Sequence, residues 1–449
     1  MFKRLLSLAL VAGVFSVLLL VVSIPKLSVG VSVNPAEIAV EPKRPQLICP
    51  GPVFVNGGDS GLKLGNFTQA GQAQIQGRND QASVSITATG INTIDGSLAG
   101  SKDFNAIQSQ RASLKLAAGL AVANCESGSN EAWFVAGDNS IGREALLVLV
   151  NPTKVDATVS LQIVGTNGPI QGTGLSGISV PAGKVTVLPL AAFAPKASTF
   201  ALQVSSRGAA LGMWLQQKTI RGLTPGGLDY VQASPAESKT VEIPGLFIRS
   251  TAKLADLAAN DQDFLDTKPI LRVVGNAKAE ATFTAQVQGA DGSSFGTVIQ
   301  GTVPAGSVKD FDLGELADGD YVVHVESSEP IMASASFSRV ASAQPDFAWA
   351  IAVTPKKLDA GFTTVSGAIS KLSVANPSDK AGKITLNGRI VSVPAKSNIV
   401  VTLAAGTSYQ ISSNVAVSAS QVVDISSTVA VVPVLDYRSE ASRIKVVIR

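Results

Sequence analysis

Charged and aromatic residues are scarce in this sequence of 449 residues: they make up 15% and 5% of it, and it contains a single histidine. Charged residues ordinarily supply about 25% of a globular domain. The 36 Lys and Arg against 33 Asp and Glu leave a net charge of +3, too small a surplus to attract nucleic acid by charge alone. Small and β-branched residues fill the deficit, which excludes both a disordered polar chain and a coiled coil.

Side chains suited to catalysis are equally scarce. A serine or cysteine nucleophile needs a base beside it, and the one imidazole is that of His324. His324 lies in the alternating run YVVHV (321–325), where it shares a sheet face with Val322 and Glu326. We interpret it as a solvated strand residue, which excludes a Ser-His-Asp triad. With no phosphate-binding Gly-Lys-Ser/Thr loop and no His/Cys metal spacing, the sequence predicts no cofactor.

The densest group of acids is Asp261, Asp263 and Asp266. Two carboxylates about 5 to 9.5 Å apart suffice for a glycosidase, so this chemistry remains open as the least favoured alternative. Oxygen ligands at this spacing also suit calcium, but the segment lacks the glycine and the distal glutamate of an EF-hand loop. The sequence favours a solvated loop here, with no catalytic or metal-binding residue.

A hydrophobic segment opens the chain. Residues 5–24 (LLSLALVAGVFSVLLLVVSI) carry no charge, and as a helix they would measure about 30 Å, the thickness of a bilayer core. Lys3 and Arg4 precede this run, which predicts a cytoplasmic N-terminus over residues 1–4 and an extracytoplasmic remainder. The alternative is a cleaved signal peptide, with Ser28-Val29-Gly30 as its candidate site, and a secreted product. We expect a single-pass protein of the plasma membrane.

The two cysteines, Cys49 and Cys125, lie in the part of the chain that both alternatives export. An oxidising compartment allows them to pair. We therefore predict a disulfide that closes a loop of 76 residues.

The remaining sequence alternates between apolar and polar residues with a period of two, which indicates half-buried strands between Gly-rich turns. We expect an all-β fold of tandem immunoglobulin-like β-sandwich domains after one transmembrane helix. The predicted boundaries are a Pro-rich stalk at 25–45, a disulfide-linked β domain at 46–142, sandwiches at 143–237 and 238–358, and a smaller sandwich at 359–449.

One signature occurs three times after residue 140 and supports this division. In each copy a strand ends at an asparagine, and a Val-Pro-Ala segment follows 18 to 30 residues later; the asparagines are Asn151, Asn276 and Asn376. Proline cannot donate to a strand ladder and asparagine readily starts a turn. We interpret these motifs as corners between strands rather than as binding loops.

The chain resembles an uncharacterised family of exported actinobacterial proteins. The likeness rests on Cys49-Pro50-Gly51-Pro52, the stretch from Cys125 to Trp133-Phe134, the corner motifs and Gly226-Gly227-Leu228-Asp229, and it covers most of residues 46–440. The resemblance implies an N-terminal membrane segment followed by tandem β domains. It implies no activity and no catalytic residue.

Three tryptophans bear on ligand binding, since sugar-binding surfaces use exposed aromatic rings. A large ring buries so much apolar area that we expect each of Trp133, Trp214 and Trp349 to fill a sandwich core. The function expected from the sequence is therefore that of a non-enzymatic, membrane-anchored scaffold or partner-binding protein of the bacterial cell envelope. The alternative is a polysaccharide-binding accessory protein of the envelope glycan machinery, so the expected partner is an envelope protein or a glycan.

Overall fold

In the computed structural model, the described residues are 36–38, 45–57, 63–79, 82–88, 90–96, 103–290, 295–340, 344–426, 428–435 and 444–446. These residues form an all-β structure of antiparallel sheets that starts with β1 (Ala36–Ile38). Within these ranges no helix is long and apolar enough to cross a membrane. Residues 5–24, where the sequence predicts the membrane helix, lie outside the described residues, as does most of the predicted stalk.

The N-terminal β domain is built around the predicted disulfide. Its strands are β2 (Gln46–Cys49), β3 (Phe54–Gly57), β4 (Lys63–Gln69), β5 (Ala73–Asn79), β6 (Ala82–Ala88), β7 (Asn92–Asp95), β8 (Asn105–Leu114) and β9 (Ala117–Asn124). They form a sheet in the order β6–β5–β8–β9 and the pairs β2–β7 and β3–β4. Cys49 and Cys125 are bonded, which confirms the disulfide, and they lie in a core with Leu47, Ile75 and Phe104.

The first sandwich packs two sheets face to face. Its strands are β10 (Glu131–Phe134), β11 (Arg143–Val150), β12 (Ala157–Gly165), β13 (Gly168–Ile170), β14 (Ile178–Val180), β15 (Val185–Pro189), β16 (Phe200–Arg207), β17 (Gly212–Arg221) and β18 (Thr224–Val231). One sheet runs β10–β16–β12–β13 with β14 beside β12, and the other runs β15–β11–β17–β18. Strand β10 comes from the segment assigned to the preceding domain, yet it pairs with β16.

The segment that we call the second sandwich is a single seven-stranded sheet organised around one long strand. Its elements are β19 (Ser238–Ile248), α1 (Thr251–Asn260), a 3-10 turn (Gln262–Thr267), β20 (Ile270–Gly275), β21 (Ala281–Gly289), β22 (Phe295–Val303), β23 (Val308–Asp312), β24 (Gly319–Arg339) and β25 (Asp346–Ile351). The first half of β24 pairs with β19 and β21, and its second half pairs with β20 and β25. This 21-residue strand therefore runs through both parts of the domain.

The third sandwich contains β26 (Asp359–Thr363), β27 (Ile369–Asn376), β28 (Gly382–Leu386), β29 (Arg389–Val393), β30 (Ser397–Leu403), β31 (Ser408–Ser413), β32 (Ser418–Ile425) and β33 (Thr428–Pro433). Its two sheets run β26–β31–β28–β29 and β30–β27–β32–β33. The turn between β28 and β29 is Asn387-Gly388, and both of its residues have positive φ, 46° and 83°. A final strand, β34 (Ile444–Val446), pairs with β1 as a separate small unit.

The side chains of the repeated asparagines form hydrogen bonds with backbone groups at their corners. The buried side chain of Asn151 donates from Nδ2 to the carbonyls of Val155 and Val180, at 2.8 and 3.0 Å. Asn376 makes the corresponding bonds to Lys380 and Val393 in the third sandwich, and Asn276 donates to a carbonyl in the second. Each amide satisfies backbone groups that the turn leaves unpaired, so these motifs act structurally.

The strands β9, β18, β25 and β33 lie at the edges of four different sheets and pack against one another. Strand β9 divides its side chains between two neighbours: Leu120 and Val122 share a cluster with Val432 of β33, whereas Ala121 shares one with Tyr230 of β18. Strand β25 likewise contacts β18 and β33. We call this arrangement the four-strand junction. It covers edges that would otherwise offer unpaired backbone groups to other chains.

A buried carboxyl group connects the strands at one end of the junction by hydrogen bonds. Asp346, the first residue of β25, accepts at Oδ1 from the backbone N–H of Leu228 in β18, at 3.0 Å. Its Oδ2 accepts from Leu120 in β9 and Val429 in β33, at 3.0 and 3.1 Å. Burial raises the pKa of Asp346 to about 7, and these N–H donors oppose the rise. One side chain therefore connects strands of all four sheets.

Two glycines make this close approach possible. A Cβ on Gly119 would lie 2.5 Å from Asp346 Oδ1, and one on Gly227 would lie 2.4 Å from the ring of Phe347. Both glycines also have positive φ, at 143° and 96°. Gly227 belongs to the GGLD motif (226–229), which thus serves the junction.

Removal of the disulfide should destabilise the protein strongly. We expect Cys49→Ser combined with Cys125→Ser to lower the free energy of unfolding by about 4 kcal/mol, because the unfolded chain regains the entropy of an open 76-residue loop. Urea unfolding of the two proteins measures this difference. An unchanged midpoint, or two thiols that react in the native protein without reductant, would contradict the prediction.

Ionisation of Asp346 should make the fold less stable as the pH rises. The folded state holds a proton up to about pH 7 that the unfolded chain releases near its ordinary pKa of 3.8, so the free energy of unfolding should fall between about pH 4 and 7. The shift corresponds to a loss of about 4 kcal/mol. Denaturant unfolding across this range measures the slope.

The variant Asp346→Asn should flatten that slope without abolishing it, because burial also raises the pKa of the neighbouring Asp229. As a control, Asp379→Asn should not flatten it, since Lys396 lowers the pKa of that exposed carboxyl group. A wild-type protein whose stability rises from pH 4 to 7 would refute the role assigned to Asp346.

Candidate binding groove

A groove lies on the outward face of the β10–β16–β12 sheet. In β10, Ala132 and Phe134 point into the sandwich core, so the alternating Glu131 and Trp133 point outward. Trp133 is half-buried and Glu131 is exposed. The groove therefore has an aromatic ring at its edge strand.

Gln203 and Gln162 lie beside Trp133 on the same face of the sheet, and we call these two residues the glutamine row. Trp133 lies directly opposite Gln203 in β16, and Gln203 lies directly opposite Gln162 in β12. Gln203 Nε2 donates to Glu131 Oε1 at 2.6 Å, which holds both side chains in place. In the next row, Glu131 is followed by two serines, Ser205 and Ser160. The sheet face thus presents one ring bordered by amide, carboxyl and hydroxyl groups.

The second sandwich supplies the opposite wall. The corner after β20 and the middle of β24 close a cavity of about 770 Å³, within the range typical of ligand sites. Val164 of the sheet forms an apolar floor with Val274 and Met332. Asn276, a corner asparagine, and Lys278 complete the rim.

Direct bonds fix the two walls relative to each other. Arg272, in β20, donates from Nη1 to the carbonyls of Gly137 and Phe200 in the first sandwich, at 2.7 and 3.0 Å. Its guanidinium also pairs with Asp310, whose Oδ1 lies 2.7 Å from Arg272 Nε. Ser334 Oγ donates to the carbonyl of Val135. The shape of the groove is therefore set by buried polar contacts.

The groove is acidic. Its described lining includes the carboxylates of Glu131, Glu237 and Glu329 and one ammonium group, that of Lys278. Lys239 lies just outside this lining, with Nζ 4.0 Å from Glu329 Oε2, so the excess of negative charge is small. Such a rim repels anions and accepts hydrogen bonds.

The tryptophan prediction is right for two residues and wrong for the third. Trp214 and Trp349 are buried, 0% and 4% exposed, in apolar clusters. Trp133 is instead half-buried: it packs against the apolar cluster that includes Val274 and Met332, and it lines the groove. The reason is local: two aromatic residues are adjacent in β10, alternation allows one of them to face the core, and Phe134 occupies that position.

His324 also differs from the solvated residue predicted from the sequence. It is half-buried between carboxylates: Nδ1 contacts the buried Glu242 of β19, and Nε2 lies 3.3 Å from Glu326. The hydrogen bond that His324 donates to the Glu242 carboxylate stabilises the charged imidazole and raises the pKa of His324. Because Glu242 comes from a strand 82 residues upstream, the local pattern around His324 gives no sign of it.

The acid cluster at 261–266 is divided among structural contacts. Asp261 accepts from the backbone N–H of Asp263 at 2.9 Å and caps the 3-10 turn. Asp266 is bound by both Arg143 and Arg221, with Arg221 Nη2 at 2.9 Å. In the described part of the chain, no group of three His, Cys, Asp or Glu side chains is placed to hold a metal.

Comparison with known proteins identifies a family but no activity. Residues 76–390, well over half of the chain, match the sequence profile of DUF5719, described as a family of unknown function. No curated protein matches.

Two solved structures show weak likeness. The crystal structure of Thermotoga maritima 1070 is 13% identical with a TM-score of 0.22, over 26% of this chain and 93% of that one. An anti-sigma factor domain-containing protein from Clostridium clariflavum is 10% identical with a TM-score of 0.13, over 80% and 96%.

Tryptophan fluorescence should distinguish the groove residue from the two core residues. We expect acrylamide to quench one fraction of the emission readily, and Trp133→Phe to remove that fraction, because Trp214 and Trp349 are shielded from solvent. Trp214→Phe serves as the control and should leave the quenchable fraction in place. Equal protection of all three emissions would show that Trp133 is closed off.

Proposed function

The chain belongs to DUF5719, a family of unknown function, and we propose that it is a non-enzymatic, membrane-anchored scaffold of the bacterial cell envelope that holds its partner in the Trp133 groove. The observation that carries the proposal is the fixed geometry of that groove. Its walls come from separate sandwiches, yet Arg272 binds across them and the four-strand junction locks their sheets together. Because the groove is already ordered, little free energy is lost in ordering it when a partner binds.

The proposed location rests on the chain's chemistry. The segment 5–24 suits a membrane anchor, with the bulk of the chain outside the cytoplasm. The Cys49–Cys125 disulfide is typical of an oxidising compartment. Cleavage of the segment would give a secreted protein with the same groove. The immunoglobulin-like topology, the division into tandem domains with β10 counted in the first sandwich, and an actinobacterial origin are parts of this proposal.

The arrangement of the carboxyl groups supports binding over catalysis. Asp229 and Asp346 are buried in the junction, where they accept hydrogen bonds from backbone N–H groups. In the groove, Glu131 and Glu237 are exposed to solvent. Glycosidases raise the pKa of their acid by burying it or placing it against a second charge. A carboxylate-based glycosidase is accordingly the weaker alternative.

A photocrosslinking amino acid in the groove tests the proposal in intact cells. We expect the substitution at Gln162 to give a defined crosslinked adduct, because this side chain is exposed in the groove. The matched control is Gln286, an exposed glutamine on β21 of the second sandwich that does not line the groove. Adduct yields at the two positions are compared after gel separation.

The location is tested in the same cells. Protease added to spheroplasts should digest the protein, and fractionation should recover it with the membrane. Full protection from protease would overturn the scaffold proposal, as would equal crosslinking at Gln162 and Gln286.

A further inference from the structure

We propose that the Trp133 groove binds a neutral polysaccharide chain, with the indole ring stacked on a sugar ring and the glutamine row bonded to its hydroxyl groups. The inference deepens the proposed function, on which it rests, by assigning a chemical class to the partner. Four features of the groove carry it: the row geometry, the types of polar group, the charge of the rim and an unpartnered hydroxyl group.

Trp133 and the glutamine row together have the length of a short stretch of polysaccharide. Trp133, Gln203 and Gln162 lie at paired positions on β10, β16 and β12, which are neighbouring strands in the sheet. Neighbouring strands are about 4.8 Å apart, so the row extends about 10 Å across the sheet. Its ring lies at one end and its amides follow in line, which suits an extended ligand that crosses the strands.

The polar side chains of the groove are suited to hydrogen bonds with the hydroxyl groups of a sugar. A hydroxyl group both donates and accepts a hydrogen bond, and so does a side-chain amide. Gln203 is already oriented by its 2.6 Å bond to Glu131, which leaves its carbonyl oxygen to accept. Glu131 adds an acceptor within the groove, and the next row on the same sheet face, outside the groove lining, carries the hydroxyl groups of Ser160 and Ser205. A sugar's alternating apolar faces and hydroxyl edges fit this combination of ring and amides.

The charge of the rim selects among glycans. The described lining carries three carboxylates and Lys278, and Lys239 lies 4.0 Å from Glu329, so an acidic polysaccharide would meet a small excess of negative charge. The same charges disfavour nucleic acid and anionic lipid. A neutral chain needs no counter-charge and can use the carboxylates as hydrogen-bond acceptors.

A hydroxyl group at the wall supports a ligand independently. Ser234 Oγ is buried at the cavity lining and has no hydrogen-bond partner among the described residues. Its backbone N–H donates to the carbonyl of Trp133 at 2.7 Å, so Ser234 is the residue paired with Trp133 on the side away from β16. Buried polar atoms are normally satisfied, so an unpaired hydroxyl group in the lining of a cavity is a feature that a bound ligand would explain.

Affinity electrophoresis of the full-length protein in detergent tests the inference. The gels contain dextran, soluble starch, galactomannan or mixed-linkage β-glucan as neutral probes, and hyaluronan or polygalacturonate as acidic ones. We expect at least one neutral polysaccharide to retard the protein, with little effect of salt, and the acidic ones to leave its mobility unchanged.

Variants assign the retardation to the groove. Trp133→Ala should weaken binding by about tenfold or more, and Gln162→Ala should weaken it less. Trp133→Phe should restore part of the affinity because it keeps a ring. Gln286→Ala is the matched control and should bind as the wild type does. Thermal unfolding followed by circular dichroism confirms that each variant is folded.

Several outcomes would overturn the inference: retardation by none of the neutral probes, preferential retardation by an acidic probe, or undiminished binding by folded Trp133→Ala. The crosslinking experiment separates this failure from failure of the scaffold. A protease-sensitive adduct at Gln162 with no retardation by any glycan rejects the polysaccharide but keeps a protein-binding scaffold. Protection of the chain in spheroplasts rejects the scaffold whatever the gels show.

Discussion

The edges of four sheets meet in this protein, and their mutual coverage is the constraint on which the rest of the structure depends. An exposed edge strand offers a row of N–H and C=O groups to any passing chain. Here β9, β18, β25 and β33 pack side by side, and Asp346 accepts hydrogen bonds from the three strands that are not its own. The cost is a carboxyl group in an apolar interior, which backbone donors compensate in part. The glycines beside it are required because a Cβ would occupy the space of the carboxyl group or of the adjacent ring.

The junction also explains how a groove between two sandwiches can keep one shape. Separately folded domains in a chain usually move relative to one another unless a large interface holds them. In this chain, β18 of the first sandwich and β25 of the second are held together at the junction, and Arg272 bridges the same two bodies on the groove side. The two walls therefore share two independent attachments. Trp133 and the glutamine row lie on the outer face of one wall, where Trp133 packs against an apolar cluster that the two sandwiches share.

Much of the fold could be predicted from local patterns. Alternation gave the strands, the asparagine and Val-Pro-Ala motifs gave the corners, and the pairing of Cys49 with Cys125 followed from compartment and count. The features that local patterns missed involve residues far apart in the chain. Asp346 looks like an ordinary polar residue at the start of a strand, and its partners lie 226, 118 and 83 residues away. The outward orientation of Trp133 depends on which of two adjacent aromatics faces the core, and alternation alone permits either.

The order in which the ribosome produces these strands gives the junction a further significance. Strands β9, β18 and β25 emerge well before β33, which ends at Pro433. Until β33 is synthesised, the edge strands β9, β18 and β25 lack one of their neighbours. In ordinary tandem domains, each domain covers its own edge strands. Biogenesis is thus the stage at which this architecture is most exposed to misassembly. Strand β33 must therefore be synthesised before the junction can close.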